Sequence, residues 1–180
     1  MQKIQVFNTS QLKDVENAVL LAEELVNNYF KMSSNQWLGN RYDVKTLENL
    51  TRDEIIEGPF AQVIGYEARK NVHFSSSSYN YYTICLQDNA ILRLLEKKKE
   101  LFLPSFLLYI LIHELVHIVR FSKFEQIYEN SVETKHMINE ERIVHDITCK
   151  IIEKVSIIGK DDVLQYYKKW RLDQDFKKLL

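Results

Sequence analysis

The stretch that decides the fold reads Leu111-Ile112-His113-Glu114-Leu115-Val116-His117-Ile118-Val119. Because apolar residues surround its polar ones, the stretch predicts a helix that is buried in the core. Residues four positions apart on an α-helix project about 40° from one another, so His113 and His117 share one face. Glu114 lies about 100° from His113, at the edge of that face. The stretch therefore predicts a core helix with three polar side chains on one side.

This arrangement of two histidines and a glutamate is typical of a metal site. His113 and His117 can direct a ring nitrogen at one ion, and Glu114 can reach a water molecule beside that ion without coordinating it. A buried Glu114 without a partner would be costly, and a metal ion supplies the compensating charge. We expect Zn²⁺, with the two histidines as ligands and Glu114 as the general base. A chance spacing of core histidines is the alternative, and the apolar flanks favour the metal site.

The motif helix resembles that of the zincin metallopeptidases, and more narrowly of the gluzincins, whose third ligand is a glutamate on a following helix. Residues 121–125 contain no histidine, so the Gly-x-x-His continuation of metzincins is absent. The chain is also similar to a group of small, uncharacterised bacterial proteins. They share a His-Glu-Leu-x-His-x-Val-Arg-Phe run and a later Glu-Glu-x-x-Val-His segment. That similarity covers the C-terminal half and implies no particular substrate.

A third ligand is expected on the helical segment from Asn139 to Asp146. The resemblance implies Glu141, because gluzincins carry Glu-x-x-x-Asp here and Glu141-x-x-x-His145 has that spacing with histidine in place of aspartate. It also implies that His145 acts beside the metal, either by orienting a ligand or by donating a hydrogen bond to the transition state. Two alternatives stay open. His145 could itself be the third ligand, or Glu140 could be, since it projects closest to the apolar face of the segment.

Two further residues lie one helical turn from the motif histidines and can share their face. Arg120 could anchor Glu140 or Glu141, or stabilise an oxyanion, and a surface arginine explains it equally well. We interpret Tyr109 as core packing rather than as a proton donor. The remaining histidines and the two tryptophans have no assigned role in the site: His73, His136, Trp37 and Trp170.

Length and composition predict one domain over residues 1–180, with 46% hydrophobic and 27% charged residues. Only four glycines and two prolines are present, which favours helices. We therefore expect a mostly helical α+β fold, and the resemblance implies a minimal zincin-like domain with a small sheet packed on the motif helix. Cys85 and Cys149 are too few for a disulfide scaffold, and we interpret both as core residues.

The same sequence argues against several partners. The formal net charge of -1 gives no basic field to attract nucleic acid or an anionic membrane. The stretch from Leu101 to Val119 is long enough to suggest a transmembrane helix, but ionisable groups in its second half are expensive in lipid. The N-terminus has no long apolar segment of the secretory type, so we expect residence in the cytoplasm.

The periodicity along the chain predicts helices around a small sheet. A helix from Asp43 to Glu57 is predicted to end at Gly58-Pro59. Strands are predicted over Phe60 to Tyr66 and Tyr79 to Gln87, joined through Asn71 to Ser78. The first of the other predicted helices begins after the N-cap candidates Asn8, Thr9 and Ser10 and runs to about Tyr29. The remaining four run from Asp88 to Glu100, from Pro104 to about Phe121, from Met137 to Ile157, and from Asp161 onward.

These features predict a single-domain zinc peptidase in which Glu114 takes a proton from water and passes it to the leaving amine. The peptide substrate comes from the resemblance. By the same analogy, the strand from Tyr79 to Gln87 is expected to be an edge strand along which an extended peptide lies. One alternative is a metal-binding regulatory or interaction protein without turnover, which a site closed by a fourth protein ligand would favour. Another is hydrolysis of a bond other than an amide.

Overall fold

The computed structural model describes residues 4–33, 40–69, 78–123 and 134–172. Within these ranges the chain forms five α-helices and a three-stranded sheet, which confirms the mostly helical α+β fold. Two short 3₁₀ turns, Leu47–Asn49 and Arg52–Glu54, follow the first strand. The elements in chain order are α1 (Thr9–Phe30), β1 (Asn40–Lys45), β2 (Ala61–Arg69), β3 (Ser78–Leu86), α2 (Asp88–Lys97), α3 (Leu103–Lys123), α4 (Thr134–Ile152) and α5 (Lys160–Leu172).

The sheet has the strand order β1-β3-β2, with β3 in the centre. It is mixed, because β1 runs parallel to β3 and β2 runs antiparallel to it. Ile84 in the middle of β3 is opposite Val44 on one side and Val63 on the other. The prediction that the strand from Tyr79 to Gln87 lies at an edge is therefore wrong. Both of its sides are paired, and a peptide could add only to β1 or β2.

The predicted helix from Asp43 to Glu57 is also wrong. Its first residues belong to β1, and the rest form the two 3₁₀ turns with irregular chain between them. Tertiary contacts override the local helical pattern here. One side of β1 pairs with β3, and the buried carboxylate of Asp88 accepts a hydrogen bond from the Leu47 N–H at 3.0 Å. These contacts hold the segment against β3 and the start of α2.

The other predicted elements exist with shifted ends. Asn8 is the N-cap of α1, in a reciprocal capping box with Gln11. Helix α4 ends at Ile152 rather than Ile157, and the chain then turns before α5 begins at Lys160. Gly159 stands in that turn with φ 75°, and a Cβ there would lie 2.8 Å from the Phe102 Cβ. Glycine is needed at this position for both reasons.

Helix α3 lies in the core, as the opening stretch predicts. It packs against α1 on one side and against β2, α4 and α5 elsewhere. No residue from Ser105 to Val119 is more than 9% exposed. Among the described residues, its Leu103–Ser122 span is the one helical segment long and apolar enough to cross a membrane, and 78% of that span is buried inside the protein. Burial of this kind is typical of a core helix.

Candidate metal centre

Three predicted ligands come together between α3 and α4. The Nε2 atoms of His113 and His117 lie 3.1 Å apart. One carboxylate oxygen of Glu141 lies 3.3 Å from Nε2 of His113, and the other lies 3.1 Å from Nε2 of His117. Among the described residues these three form the group whose ligand atoms lie within 4.8 Å of one another. The sequence motif supplies two corners of this triangle, and α4 supplies the third.

The triangle fits a metal ion. Zinc binds histidine nitrogen and carboxylate oxygen at about 2.0–2.2 Å, so tetrahedral ligand atoms lie roughly 3.3 Å apart. The separations between the atoms of His113, His117 and Glu141 are close to that value. Two imidazoles and one carboxylate are also the donor set of catalytic zinc sites that keep a fourth position for water or substrate. The three residues could therefore hold a metal ion.

The charges around the triangle favour a cation. Burial works to raise the pKa of Glu141, but hydrogen bonds and charges from His113 and His117 outweigh it and hold that pKa well below its usual value. Burial works to lower the pKa of His117, but the hydrogen bond and negative charge of Glu141 raise it overall. Each group thus prefers the state in which a positive charge lies between the carboxylate and the imidazoles. A proton or a metal ion can supply that charge.

Glu114 lies beside the triangle and outside it. Only 8% of the residue is exposed, and burial raises the pKa of its carboxylate despite the opposing effect of the two motif histidines. Within the described residues no hydrogen bond to that carboxylate is present. A carboxylate with a raised pKa holds a proton more readily than a free glutamate does, which suits a general base.

His145 lies next to the triangle on α4. It is 6% exposed, and its ring centroid is 4.3 Å from that of His113, with a 46° angle between the rings. Its Nδ1 atom lies 2.8 Å from the hydroxyl oxygen of Tyr109. His145 is outside the group of three that could hold the ion, so Glu141 is the candidate third ligand that reaches both motif histidines.

Glu140, the other candidate ligand, is engaged elsewhere. Its carboxylate accepts two hydrogen bonds from Arg120, from Nε at 2.5 Å and from Nη2 at 2.7 Å. Arg120 therefore anchors Glu140, which is one of the roles that the sequence left open. The described polar contacts between α3 and α4 thus include Tyr109 with His145, His113 and His117 with Glu141, and Arg120 with Glu140.

Tyr109 does more than the sequence suggests. It is 1% exposed and stacks on Tyr167 of α5, with ring centroids 3.9 Å apart and planes 5° apart, so the packing interpretation holds. Its hydroxyl also contacts His145 and lies 3.6 Å from Sγ of Cys149. Tyr167 itself is 5.4 Å from the His145 ring, and burial raises the pKa of its hydroxyl well above the usual value. No sequence signal identifies Tyr167, because it is one aromatic residue in an ordinary amphipathic helix.

The second nitrogens of the motif histidines are unusual. Nδ1 of His113 and Nδ1 of His117 are buried, and within the described residues neither has a hydrogen-bond partner. Histidine ligands usually donate this N–H to a carboxylate or a carbonyl group, which fixes the ring. Here each ring instead has an aromatic neighbour: His113 lies against His145, and His117 lies against Phe121 with ring centroids 5.4 Å apart.

The remaining predictions concern residues away from the triangle. Cys85 and Cys149 are both buried free thiols, as predicted. His73 and Trp37 lie outside the described residues, and so do the side chains of His136 and Trp170. A cavity of about 610 Å³ lies between the N-terminal segment and α2, and its lining includes no residue of the metal centre.

Comparison of this chain with protein-family models, with curated proteins and with solved structures finds no match. A functional conclusion therefore has to come from the site itself. What the site provides is a buried triangle of ligand atoms on two helices, with a buried glutamate next to it on the motif helix.

Proposed function

We propose that this protein is a zinc-dependent hydrolase, and that it is a small metallopeptidase of the zincin type. The convergence of His113, His117 and Glu141 to within 3.3 Å carries the proposal. Zinc is the metal we assign, because imidazole and carboxylate ligands in a compact triangle suit it. When bound, zinc supplies a Lewis acid that polarises a substrate carbonyl and lowers the pKa of water.

Glu114 is the proposed general base. It follows His113 directly on α3, so it stands at the edge of the ligand face without competing for the metal. Burial raises the pKa of its carboxylate, which suits a group that first accepts a proton from water and then delivers it to the leaving group. The ordinary alternative, a glutamate held by structural hydrogen bonds, has no support among the described residues around it.

We assign His145 a supporting role as donor to the negative charge that develops on the substrate. Its ring lies beside that of His113, and its contact with the Tyr109 hydroxyl fixes one of its two nitrogens. A donor held in place before the reaction stabilises developing charge without a reorganisation cost.

A peptide is the proposed substrate class, and β2 is the strand along which it would lie. Strand β2 pairs with β3 on one side, and no described strand lies on its other side. It also packs against α3, the helix that carries the motif. Backbone pairing with an exposed sheet edge is a common way to bind an extended peptide. This replaces the earlier expectation for the strand from Tyr79 to Gln87.

A second candidate function is metal binding without turnover, in a regulatory or interaction protein. The closeness of His145 to His113, 4.3 Å between ring centroids, favours it. If His145 became a fourth ligand, the site would close and no position for water would remain. The two functions therefore differ in the number of protein ligands on the metal.

The decisive experiment combines zinc stoichiometry with hydrolysis. Purified wild type and Glu114→Gln are assayed for bound zinc and for cleavage of a peptide library and of simple esters. We expect one zinc per chain in both proteins and hydrolysis in the wild type alone. Full activity in Glu114→Gln would contradict the mechanism, and a wild type that ignores added zinc would contradict the metal site. Zinc binding without cleavage in either protein would favour the second function.

A further inference from the structure

The ion pair between Arg120 and Glu140 stands next to the proposed metal ligands in both helices. Arg120 follows His117 by one turn on α3, and Glu140 directly precedes Glu141 on α4. The guanidinium and carboxylate groups meet through two parallel hydrogen bonds, and 19% and 26% of the two side chains are exposed. Such a fork-to-fork contact fixes orientation as well as distance.

Among the described side chains of α4, the buried ones all follow Glu141. They start at Val144 and continue toward the C-terminal end of the helix. Before Glu141, the described side chains of Ile138 and Asn139 are half-buried and exposed. Hydrophobic packing therefore fixes the far part of the helix, whereas no described side chain of the turn that carries Glu141 is fully buried.

We propose that Arg120 and Glu140 are positioning residues for Glu141, and that they set the proposed metal centre in its binding geometry before the metal arrives. The inference rests on the proposed zinc site. With Val144 in the core on one side and the ion pair on the other, the Glu141 carboxylate is held where it reaches both motif histidines. A preformed triangle binds its metal more tightly because less ordering is left to the binding step.

The geometry also says which substitutions matter. Lysine keeps the charge of Arg120 but has a single ammonium group, which cannot match a carboxylate through two parallel bonds. Glutamine at position 140 keeps the shape of Glu140 and loses its charge. The matched control is the ion pair between Asp146 and Lys150, which lies on the same helix with both side chains more than half exposed.

The test measures zinc affinity by competition with a chromophoric chelator, and thermal unfolding of the metal-free proteins. We expect Arg120→Lys and Glu140→Gln to bind zinc roughly 10- to 100-fold more weakly, the usual effect of losing a group that orients a ligand. Asp146→Asn should bind as the wild type does. The visible absorption of the Co²⁺-loaded proteins should also change in the first two variants, because a loosely held carboxylate alters the coordination.

A reversed pair provides a further check on the same inference. The double variant Arg120→Glu/Glu140→Arg should recover part of the affinity that either single charge reversal loses. Zinc affinities of Arg120→Lys and Glu140→Gln within about twofold of the wild type would overturn the positioning role, and so would an equal loss in Asp146→Asn. A wild type without zinc affinity would instead overturn the metal site itself, so the two failures are distinguishable.

Discussion

Glu54 and Glu114 are both buried glutamates, 5% and 8% exposed, yet their surroundings push the pKa of each carboxylate in opposite directions. The Glu54 carboxylate accepts a hydrogen bond from the Thr51 N–H at 2.8 Å and another from Nζ of Lys45 at 2.9 Å. Both hydrogen bonds lower its pKa, and the bond from Thr51 has the larger effect. Glu114 has no such bonds within the described residues, and burial raises its pKa.

The difference separates a carboxylate with a structural role from one that is available for proton transfer. Glu54 ties β1 to the second 3₁₀ turn, and its backbone carbonyl accepts hydrogen bonds from the side chains of Gln62 and Gln87. Hydrogen bonds that satisfy buried polar groups stabilise the folded state. A buried carboxylate that lacks them lowers stability, and folded proteins keep such groups mainly at functional sites.

The largest expected effect is on turnover, measured after each of the two carboxylates is replaced separately by an amide. Glu114→Gln removes the proposed base and should lower hydrolysis by about 10²- to 10⁴-fold while the zinc content stays the same. Glu54→Gln should keep its turnover per folded molecule. Equal losses of turnover in the two variants would remove the distinction between them.

Replacement of a metal ligand should lower the affinity for zinc and leave the proposed general base in place. Protein zinc sites bind with roughly 10–16 kcal/mol, so losing one of three protein ligands in His117→Ala should weaken zinc binding by at least about 10²- to 10³-fold. Glu114→Gln serves as the control and should bind zinc normally. Equilibrium competition for zinc measures both. A His117→Ala protein with unchanged affinity would show that the metal lies elsewhere.

The two glutamates should also give opposite pH dependences of stability in the metal-free protein. The lowered pKa of Glu54 stabilises the fold at pH values above that of a free glutamate, 4.5, and the gain is lost as the pH falls through the folded value. The raised pKa of Glu114 destabilises the fold as the pH rises above 4.5. At neutral pH, Glu54→Gln should therefore be less stable than the wild type, and Glu114→Gln should be more stable.

Urea unfolding across the acidic range measures this contrast. Both differences from wild type should shrink as the pH falls below 4.5, where the carboxylates are protonated in the unfolded chain. A Glu114→Gln protein less stable than wild type at neutral pH would mean that Glu114 has a structural partner after all.

The smallest expected effect concerns Tyr109, a buried polar group that is satisfied as Glu54 is. Tyr109→Phe keeps the ring stacked on Tyr167 and removes the hydroxyl from Nδ1 of His145. Loss of one buried hydrogen bond should lower the free energy of unfolding by about 1–2 kcal/mol. Zinc affinity should change little, since the substitution leaves the Arg120–Glu140 pair beside Glu141 in place. Unchanged stability would mean that the hydroxyl contributes nothing to the position of His145.

The predictable part of the site is the part that a single helix determines. The spacing of His113, Glu114 and His117 fixes their directions through helix geometry, and the apolar flanks indicate that the helix is buried. The choice between Glu140 and Glu141 depends on the rotation of α4 against α3. That rotation depends on contacts between the two helices, among them the pair of Arg120 with Glu140, which no local pattern encodes.

The fold shows the same division. Periodicity identifies α1, α3, β2 and β3, since each buries a face of its own. The segment from Asp43 to Glu57 carries a helical pattern. Its real conformation depends on the pairing of its first residues with the side of β3 that β2 leaves open. The expectation that β3 lies at an edge of the sheet came from the resemblance to zincins, and the parallel pairing with β1 contradicts it.

The ligand triangle is local in the chain, and this has a consequence for the order of folding. His113 and Glu141 belong to neighbouring helices, whereas β1 must find β3 between residues 40 and 80. Closing the shorter loop costs less entropy, and contacts between nearby segments form faster. We therefore expect the contact between α3 and α4 to form early and the parallel pairing of β1 to form late. In stopped-flow refolding, zinc should speed the first phase and leave the last one unchanged.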